Sequence, residues 1–251
     1  MPTFTIVTPS YQHGSFIRQT IDSVLNQSFK DIEYWIIDGG STDKTKSILT
    51  SYGKKIRWLS ENDRGQADAI NKGLLKAKGD IVAWLNSDDF YEPGTLQKVS
   101  DYFGANPQID FIFGDMNFVD RDGNNPQKCD YLSDFSLPRL LKYCYICQPS
   151  VFFRRSVIDR VGLLNTKYTY AFDYDYWLRV GKLIPGRIKR VSLGTLSNLR
   201  TYKSRKTEAG IIPMRQEVIK MMFSHGYWYA PAIIESVYLI VKSKLSKQYA
   251  K

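Results

Sequence analysis

Asp80-Ile-Val-Ala-Trp-Leu-Asn-Ser-Asp-Asp-Phe90 is an apolar run that ends in two adjacent carboxylates, Asp88 and Asp89, preceded by Asn86 and Ser87. Such a run reads as a buried strand that delivers charge to the edge of a sheet. Neighbouring carboxylates raise each other's pKa unless water solvates them or a cation lies between them. The pair is therefore a candidate divalent metal site, and oxygen ligands favour Mg2+ or Mn2+ over zinc. A solvated turn after a strand is the plainer explanation, because Asp is a common turn former. The sequence on either side discriminates between the two.

Upstream, Phe4 to Thr8 is a β-rich run closed by Pro9, and from Ser15 to Gln27 the apolar positions Ile17, Ile21, Val24 and Leu25 recur at helical spacing. Ile32 to Ile37 predicts a second strand, and Ser41, Thr42 and Asp43 can cap a helix carrying Ile48 and Leu49. A short strand over Ile56 to Leu59 and a helix over Gly65 to Ala77 lead into the strand Ile81 to Leu85. Helix Thr95 to Phe103 and strand Ile109 to Phe113 follow. This alternation over the first 115 residues predicts an α/β fold of parallel βαβ units with helices on both faces.

Such sheets bind ligands beyond the carboxyl ends of their strands. Thr8 to Tyr11, Asp38, and Asp88 with Asp89 fall at the ends of the first, second and fourth strands. Three strand ends meeting at one edge weigh against a chance scatter of turn carboxylates.

After Asp115 the alternation stops. Residues 120 to 126 read as a loop or hairpin, Phe135 to Tyr143 as a short helix, and Gln148 to Phe153 as a strand. Asp173-Tyr-Asp-Tyr-Trp-Leu-Arg179 opens a helix whose N-terminal dipole favours a carboxylate. Arg187 to Arg200 is a long β candidate, and Thr207 to Ser224 and Pro231 to Lys247 are expected to be helices.

The chain has 251 residues, 43% of them hydrophobic, enough to bury a substantial core in a globular, soluble protein. Its start has neither a basic n-region nor a long apolar h-region, and no apolar stretch reaches the roughly 20 residues that span a bilayer. Cys129, Cys144 and Cys147 are an odd set that predicts reduced thiols in a cytosolic setting. Cys144 and Cys147 form a C-x-x-C, but His13 and His225 are not spaced to complete a zinc site. Both histidines are expected at structural positions or at a nucleotide rim.

Residues 1 to 178 hold 20 Lys+Arg against 22 Asp+Glu, whereas residues 179 to 251 hold 15 against 3. The net charges are therefore −2 and +12, summing to the chain's +10. A basic C-terminal third implies an anionic partner: nucleic acid, an anionic membrane face or a phosphorylated substrate.

No Gly-x-Gly-x-x-Gly follows the first strand and no Gly-Lys-Ser/Thr occurs, so dinucleotide oxidoreductases and P-loop enzymes lose their main support. Five blocks in order over about 90 residues do match a known pattern: Thr5-Ile-Val-Thr-Pro-Ser-Tyr11, Ile21-Asp-Ser-Val-Leu-Asn-Gln-Ser-Phe29, Ile36-Ile-Asp-Gly-Gly-Ser-Thr-Asp-Lys-Thr45, Asp63-Arg-Gly-Gln-Ala-Asp-Ala-Ile-Asn-Lys-Gly73 and Gly79 to Asp89. The sequence resembles the family 2 glycosyltransferases, and more loosely so in Gln148 to Phe153, Gly162 to Asn165 and Asp173 to Arg179.

The resemblance implies a GT-A, Rossmann-like nucleotide-diphospho-sugar transferase fold: a mostly parallel sheet, helices on both faces and a C-terminal helical elaboration. One domain is expected over residues 1–200, split into a nucleotide-sugar half (1–115) and an acceptor-side half (116–200). Residues 201–251 would be its basic helical extension. The implied activity moves a hexosyl or N-acetylhexosaminyl group from a nucleotide diphosphate donor to an acceptor hydroxyl with inversion, in bacterial polysaccharide or glycolipid synthesis. The acceptor would be a glycan or a polyprenyl-linked hydroxyl. The setting would be cytoplasmic, with a peripheral seat at the inner face of an anionic membrane left open by the last helix, in which Ile233, Ile234, Val237, Tyr238, Ile240 and Val241 precede Lys242, Lys244 and Lys247. Packing on its own domain is the alternative use of that apolar face.

By the same resemblance Thr8, Pro9, Ser10 and Tyr11 would line the base and ribose, and Asp38 would accept a hydrogen bond from the base, favouring uracil or another base with an imino proton, or else serve as a helix-entry carboxylate. Arg64 and Asp68 would reach the donor phosphates or sugar, or else form a surface ion pair. Ser87 and Asp88 would belong to the donor site, and Asp88 with Asp89 would hold Mn2+ or Mg2+ against the diphosphate leaving group. Asp173 would be the catalytic base. Arg200, Lys203, Arg205 and Lys206 would hold the phosphates of donor or acceptor, or form a solvated basic loop. Three positions depart from the pattern: Asn86 replaces the first Asp of D-x-D, Phe172 replaces a common Glu before Asp173, and Tyr202 replaces a common His. A nucleotidyltransferase and a non-catalytic binder of nucleotide sugars or nucleic acid are the alternatives. Nucleic acid is disfavoured as a partner, because acidic groups at the strand ends would repel its phosphates.

Overall fold

The computed structural model describes residues 3–203, 205–206 and 210–249. Nine strands form one sheet: β1 Phe4–Ser10, β2 Ile32–Asp38, β3 Arg57–Ser60, β4 Ile81–Trp84, β5 Phe90–Tyr91, β6 Phe111–Val119, β7 Gln127–Lys128, β8 Val151–Arg154 and β9 Ile188–Arg200. The helices are α1 Ile17–Leu25, α2 Thr45–Ser51, α3 Gln66–Leu74, α4 Thr95–Ala105, α5 Leu137–Leu140, α6 Ser156–Val161, α7 Phe172–Leu183, α8 Ile211–Ser224 and α9 Pro231–Tyr249. The expected beginning of α8 at Thr207 lies outside the described residues.

The sheet order is β3-β2-β1-β4-β8-β6-β9-β5, with β7 on β6. β3, β2, β1 and β4 are parallel, as the strand and helix alternation predicts. Beyond β4 the sheet is mixed. β8 runs antiparallel to both β4 and β6, β5 is antiparallel to β9, and β9 is parallel to β6. A parallel neighbour needs a crossover connection, and the segment from β6 to β8 holds only β7, the four-residue α5 and a single 3-10 turn at Gln148–Ser150, with no helix long enough to cross the sheet; the chain returns in the opposite direction. β6 bends at a bulge between Phe113 and Asp115, where a Cβ on Gly114 would lie 2.5 Å from Leu196 Cδ1.

β1 is buried along its whole length, so both faces of the sheet are covered. One face packs Ile17, Ile21 and Val24 of α1 and Leu96, Val99 and Phe103 of α4. The other packs α3, α7 and the α8–α9 pair through residues such as Ile70, Trp177, Met221 and Ala232. α3 lies so close to the sheet that a Cβ on Gly73 would sit 2.3 Å from Val7 Cγ1, which explains a glycine inside a helix.

Of the fifteen basic residues after residue 178, Arg187 donates to the buried carboxylate of Asp110, which Arg160 also reaches, Arg179 donates to Asp175 and Arg190 to Asp115, so part of the excess positive charge is taken up inside the domain. The C-x-x-C does not act as a pair: Cys147 Sγ faces Cys129 Sγ at 3.6 Å, and all three thiols are free. Among the described residues no helix is long and apolar enough to cross a membrane.

Candidate active site

The carboxyl ends of β1, β2 and β4 open into a cleft of about 1070 Å³ that α7, α8 and α9 close from the other side. Pro9, Ser10 and Tyr11 line it where β1 ends. Tyr11 is 60% exposed at the mouth, and Ser10 Oγ is buried without a hydrogen-bond partner among the described residues. Thr8 does not reach the cleft. Its hydroxyl pairs with Tyr34 OH at 3.0 Å inside the domain.

Asp38, expected to meet the base, is fully buried and does not line the cleft. Its Oδ2 accepts from Ser41 N–H at 2.9 Å and Ser60 Oγ at 2.6 Å, and its Oδ1 accepts from Ser41 Oγ, so it organises the loop after β2. The cleft wall there is formed by Gly39, Gly40, Asn62 and Asp63. A Cβ on Gly39 would lie 2.6 Å from Asp63 Oδ2, so the Asp63 carboxylate fills the space that a side chain at position 39 would occupy. Asp63 Oδ1 is held by Gly65 N–H at 2.8 Å. Asp63 stood at the head of a matched block, yet the sequence offered no sign that it, and not Asp38, would face the cleft.

The two carboxylates after β4 part company. Asp88 lines the cleft, and its Oδ2 accepts from Tyr202 OH at 2.8 Å. Among the described residues its Oδ1 has no hydrogen-bond partner. Asp89 turns inward, 1% exposed, where Arg200 N–H donates to Oδ1 at 3.1 Å and Asn86 Nδ2 to Oδ2 at 3.2 Å. Burial, reinforced by Asp88, pushes the Asp89 carboxyl up to about 7. Both oxygens of Asp89, expected at the metal, are thus engaged by the protein, and of the two carboxylates Asp88 is the one that lines the cleft.

Asn86 shows why an amide stands at the first D-x-D position. It accepts from Gln66 Nε2 at 2.7 Å and donates to both Asp89 and Gln148 Oε1, which a carboxylate cannot do. Gln148 in turn donates to Trp84 O at 2.6 Å, tying β4 to the start of β8. Ser87 Oγ meets His13 Nδ1 at 2.6 Å, which places His13 at the cleft rim. Tyr202, at the position of the family's His, packs on Phe16 with ring centroids 5.1 Å apart and lies beneath Arg121. Burial and then the Asp88 charge raise its pKa well above an ordinary tyrosine, so the phenol stays protonated and donates.

Asp173 lies across the cleft, in the first turn of α7. Its Oδ1 accepts from Tyr174 N–H at 2.7 Å, and its surroundings include Phe172 and Tyr170. Burial raises its pKa, opposed by the Tyr174 and Asp173 amides and by the charges of Lys206 and Arg205. Arg205, which lines the cleft, favours the charged form of both Asp89 and Asp173. Lys206 donates to Gln66 Oε1 at 3.2 Å and sits over the Tyr170 and Phe172 rings.

The remaining expected residues lie elsewhere. Arg64 and Asp68 form an i,i+4 ion pair of 2.9 Å at the start of α3, outside the cleft lining and with Arg64 largely exposed. Asp68 also accepts from Arg64 N–H, and so holds the loop that leads into the helix. Arg200 is buried at 2% exposure, its guanidinium bonded to Arg121 O and Gln19 and flanked by Phe16 and Phe90. It braces the β9 end and contacts no cleft space. Lys203 is exposed outside the lining. Of the four basic residues, Arg205 and Lys206 enter the cleft.

Mg2+ and Mn2+ are commonly held through one or two carboxylates plus substrate phosphates. A single cleft-facing carboxylate with an unengaged oxygen, Asp88, fits that mode. A self-sufficient site does not occur: among the described residues no group of three or more His, Cys, Asp or Glu is placed to hold a metal.

The profile described as Glycosyl transferase family 2 matches residues 5–162. A PGL/p-HBAD biosynthesis glycosyltransferase of Mycobacterium tuberculosis is 31% identical over 183 residues, covering 71% of this chain and 69% of that protein. An uncharacterized glycosyltransferase of Rickettsia typhi is 28% identical over 190 residues, covering 71% of this chain but 58% of that protein, so the chain spans less than two thirds of some relatives. Among solved structures, residues 1–349 of S. aureus TarS in complex with UDP-GlcNAc superpose with a TM-score of 0.69 at 17% identity, over 88% of this chain and 66% of that one. The mannosyltransferase PcManGT from Pyrobaculum calidifontis, in complex with GDP-Man and Mn2+, gives 0.65 at 18% identity, over 99% and 75%. These likenesses show that the curled, mixed sheet is a GT-A fold.

Proposed function

The chain belongs to glycosyl transferase family 2, and from that membership and the cleft geometry we propose that it transfers a sugar from a nucleoside diphosphate donor to an acceptor hydroxyl with inversion at the anomeric carbon. The observation that carries the reading is the pairing of Asp88 and Asp173 on opposite walls of one cleft, with Arg205 in its lining and Lys206 beside Asp173.

Asp173 accepts the proton of the acceptor hydroxyl as its oxygen attacks the anomeric carbon and the bond from that carbon to the diphosphate oxygen breaks on the far face. Its raised pKa brings the base closer to neutral pH, where proton transfer is most effective. Arg205 and Lys206 counter the charge that develops on the departing diphosphate. Mg2+ or Mn2+ held by Asp88 together with the diphosphate would neutralise the same charge. Tyr202 orients the Asp88 carboxylate for that contact. Pro9, Ser10, Tyr11, Gly39 and Asp63 line the part of the cleft that suits the nucleoside, and Asp63 as an acceptor favours UDP or another nucleotide whose base carries an imino N–H. A glycan or polyprenyl-linked acceptor fits this reading, as do a role in bacterial polysaccharide or glycolipid synthesis and a cytoplasmic site of action.

A thermal-shift panel of nucleotide sugars with and without Mn2+ tests the reading. Stabilisation by a uridine or other nucleoside diphosphate sugar, strengthened by Mn2+, is the expected result; no response to any of them would overturn it.

A further inference from the structure

Thirteen large hydrophobic side chains are exposed among the described residues, and eight of them lie between Ile211 and Val241. Ile234, Val237, Tyr238 and Val241 follow the i, i+3, i+4, i+7 spacing of one helix face and are 74%, 48%, 61% and 50% exposed. The opposite arc of α9 carries Ala232 and Ser236, both buried. One side of α9 is thus packed on the domain while the other presents a continuous apolar stripe. Trp228 and Tyr229, at 71% and 59% exposure, meet edge to face at 5.6 Å just before the helix starts. Exposed apolar surface gathered in this way marks an interaction site.

The charge around the stripe identifies what it meets. Residues 211 to 251 contain six Lys or Arg and two Glu. Glu217 is taken up by the N–H groups of Thr169, Tyr170 and Ala171, and Glu235 lies 3.9 Å from Arg215. The charge left over is positive, from Lys220 and Lys242 and, further along the sequence, Lys244, Lys247 and Lys251. An apolar stripe with aromatic residues at its head and the exposed Lys242 next to Val241, in a segment rich in lysine, complements anionic lipid, where the apolar face enters the acyl boundary and lysines meet the headgroups. α9 is not apolar enough to span a bilayer, so it would lie in the interface plane.

We propose that the α8–α9 hairpin is a docking element for an anionic membrane surface, seated through Trp228, Tyr229 and the Ile234, Val237, Tyr238, Val241 stripe. Arg215 of α8 and Ala232 and Glu235 of α9 also line the cleft, so docking brings the cleft to the headgroup layer. The acceptor is then a hydroxyl on a membrane-anchored amphiphile, a consequence that rests on the glycosyl-transfer reading, whereas the docking itself does not.

Cosedimentation of the full chain with vesicles of phosphatidylcholine alone, or mixed with phosphatidylglycerol, tests the docking. The protein is expected to pellet with the mixed vesicles. Trp228→Ser/Ile234→Ser/Tyr238→Ser is expected to lower that partitioning at least about tenfold, while its thermal response to nucleoside diphosphates stays intact, because none of the three residues lines the cleft. Should the triple variant not fold, Lys220→Glu/Lys242→Glu is expected to weaken binding to the mixed vesicles several-fold. Wild type left in the supernatant, variants that pellet like wild type, or a wild-type dimer that the triple variant dissolves without any vesicle binding would each overturn the proposal. Vesicle binding without sugar transfer would leave the docking in place and remove only the acceptor assignment.

Discussion

Trp84 and Trp177 stack face to face, with ring centroids 5.3 Å apart and planes 11° from parallel. Trp84 ends β4, four residues before Asp88, and Trp177 lies one helical turn beyond Asp173 in α7. The stack therefore sets the distance between the two acidic walls of the cleft. Both rings are almost fully buried. Trp177→Ala is expected to lower the unfolding free energy by about 3 to 5 kcal/mol, and to reduce sugar transfer at temperatures where the variant remains folded. Urea unfolding alongside kcat and KM measures both, and unchanged kcat in a destabilised variant would show that the stack does not set the site geometry.

Asp173→Asn should abolish transfer while leaving donor binding close to that of the wild type, because the side chain faces the acceptor side of the cleft. The pH profile has a definite sign. The base works only when deprotonated, and burial raises its folded pKa above that of an ordinary aspartate, so kcat/KM should fall as pH drops through that raised value. Lys206→Met removes a charge that opposes the rise and is expected to move the acid limb to higher pH. A limb that stays in place in Lys206→Met argues for another base.

Asp88 and Tyr202 make a prediction about metal. With Asp88 as the one carboxylate after β4 that lines the cleft, Mn2+ alone should bind weakly and Mn2+ with nucleoside diphosphate should bind much more tightly. Tyr202→His replaces a donor to Asp88 by an imidazole that can ligate, and is expected to tighten Mn2+ binding in the absence of nucleotide. Asp88→Asn should remove the metal dependence of nucleotide binding, whereas Asp89→Asn should act chiefly on stability. Calorimetric titration of Mn2+ and nucleotide separates these outcomes.

Asp63 and Gly39 share one volume, which makes a base-recognition test available. Asp63→Ala is expected to weaken nucleotide binding by roughly 1.5 to 3 kcal/mol, the range for a hydrogen bond to a charged group. Asp38→Asn should instead loosen the loop through Ser41 and Ser60, lowering the melting temperature. Gly39→Ala would push against Asp63 and should resemble Asp63→Ala in binding. Equal affinity in Asp63→Ala and wild type would remove Asp63 from the nucleotide site.

Most of the donor half was legible before any coordinates. The alternation of strand and helix placed β1 to β4 and α1 to α4 close to their observed limits, because each has its own apolar period, although β1 runs through Pro9 to Ser10 and does not stop before it. The Asp173 helix and the long β9 were likewise readable from local pattern. The direction of β8 was not, since strand orientation depends on the length and path of the connection and not on the strand itself. Among the basic residues, Arg200 reads like Arg205, yet one is buried between Phe16 and Phe90 and the other lines the cleft.

Family, fold and the strand ends that form the donor side follow from residues close together in the chain, where backbone period and turn chemistry act locally. Which carboxylate at each strand end faces the ligand does not. Asp38 is turned inward by Ser60, 22 residues on, and Asp89 by the backbone of Arg200, 111 residues on. Asp63 reaches the cleft because Gly39 leaves it room. A short side chain at a strand end has several rotamers of similar energy, and a hydrogen bond from a distant element decides among them. That decision belongs to the tertiary structure alone.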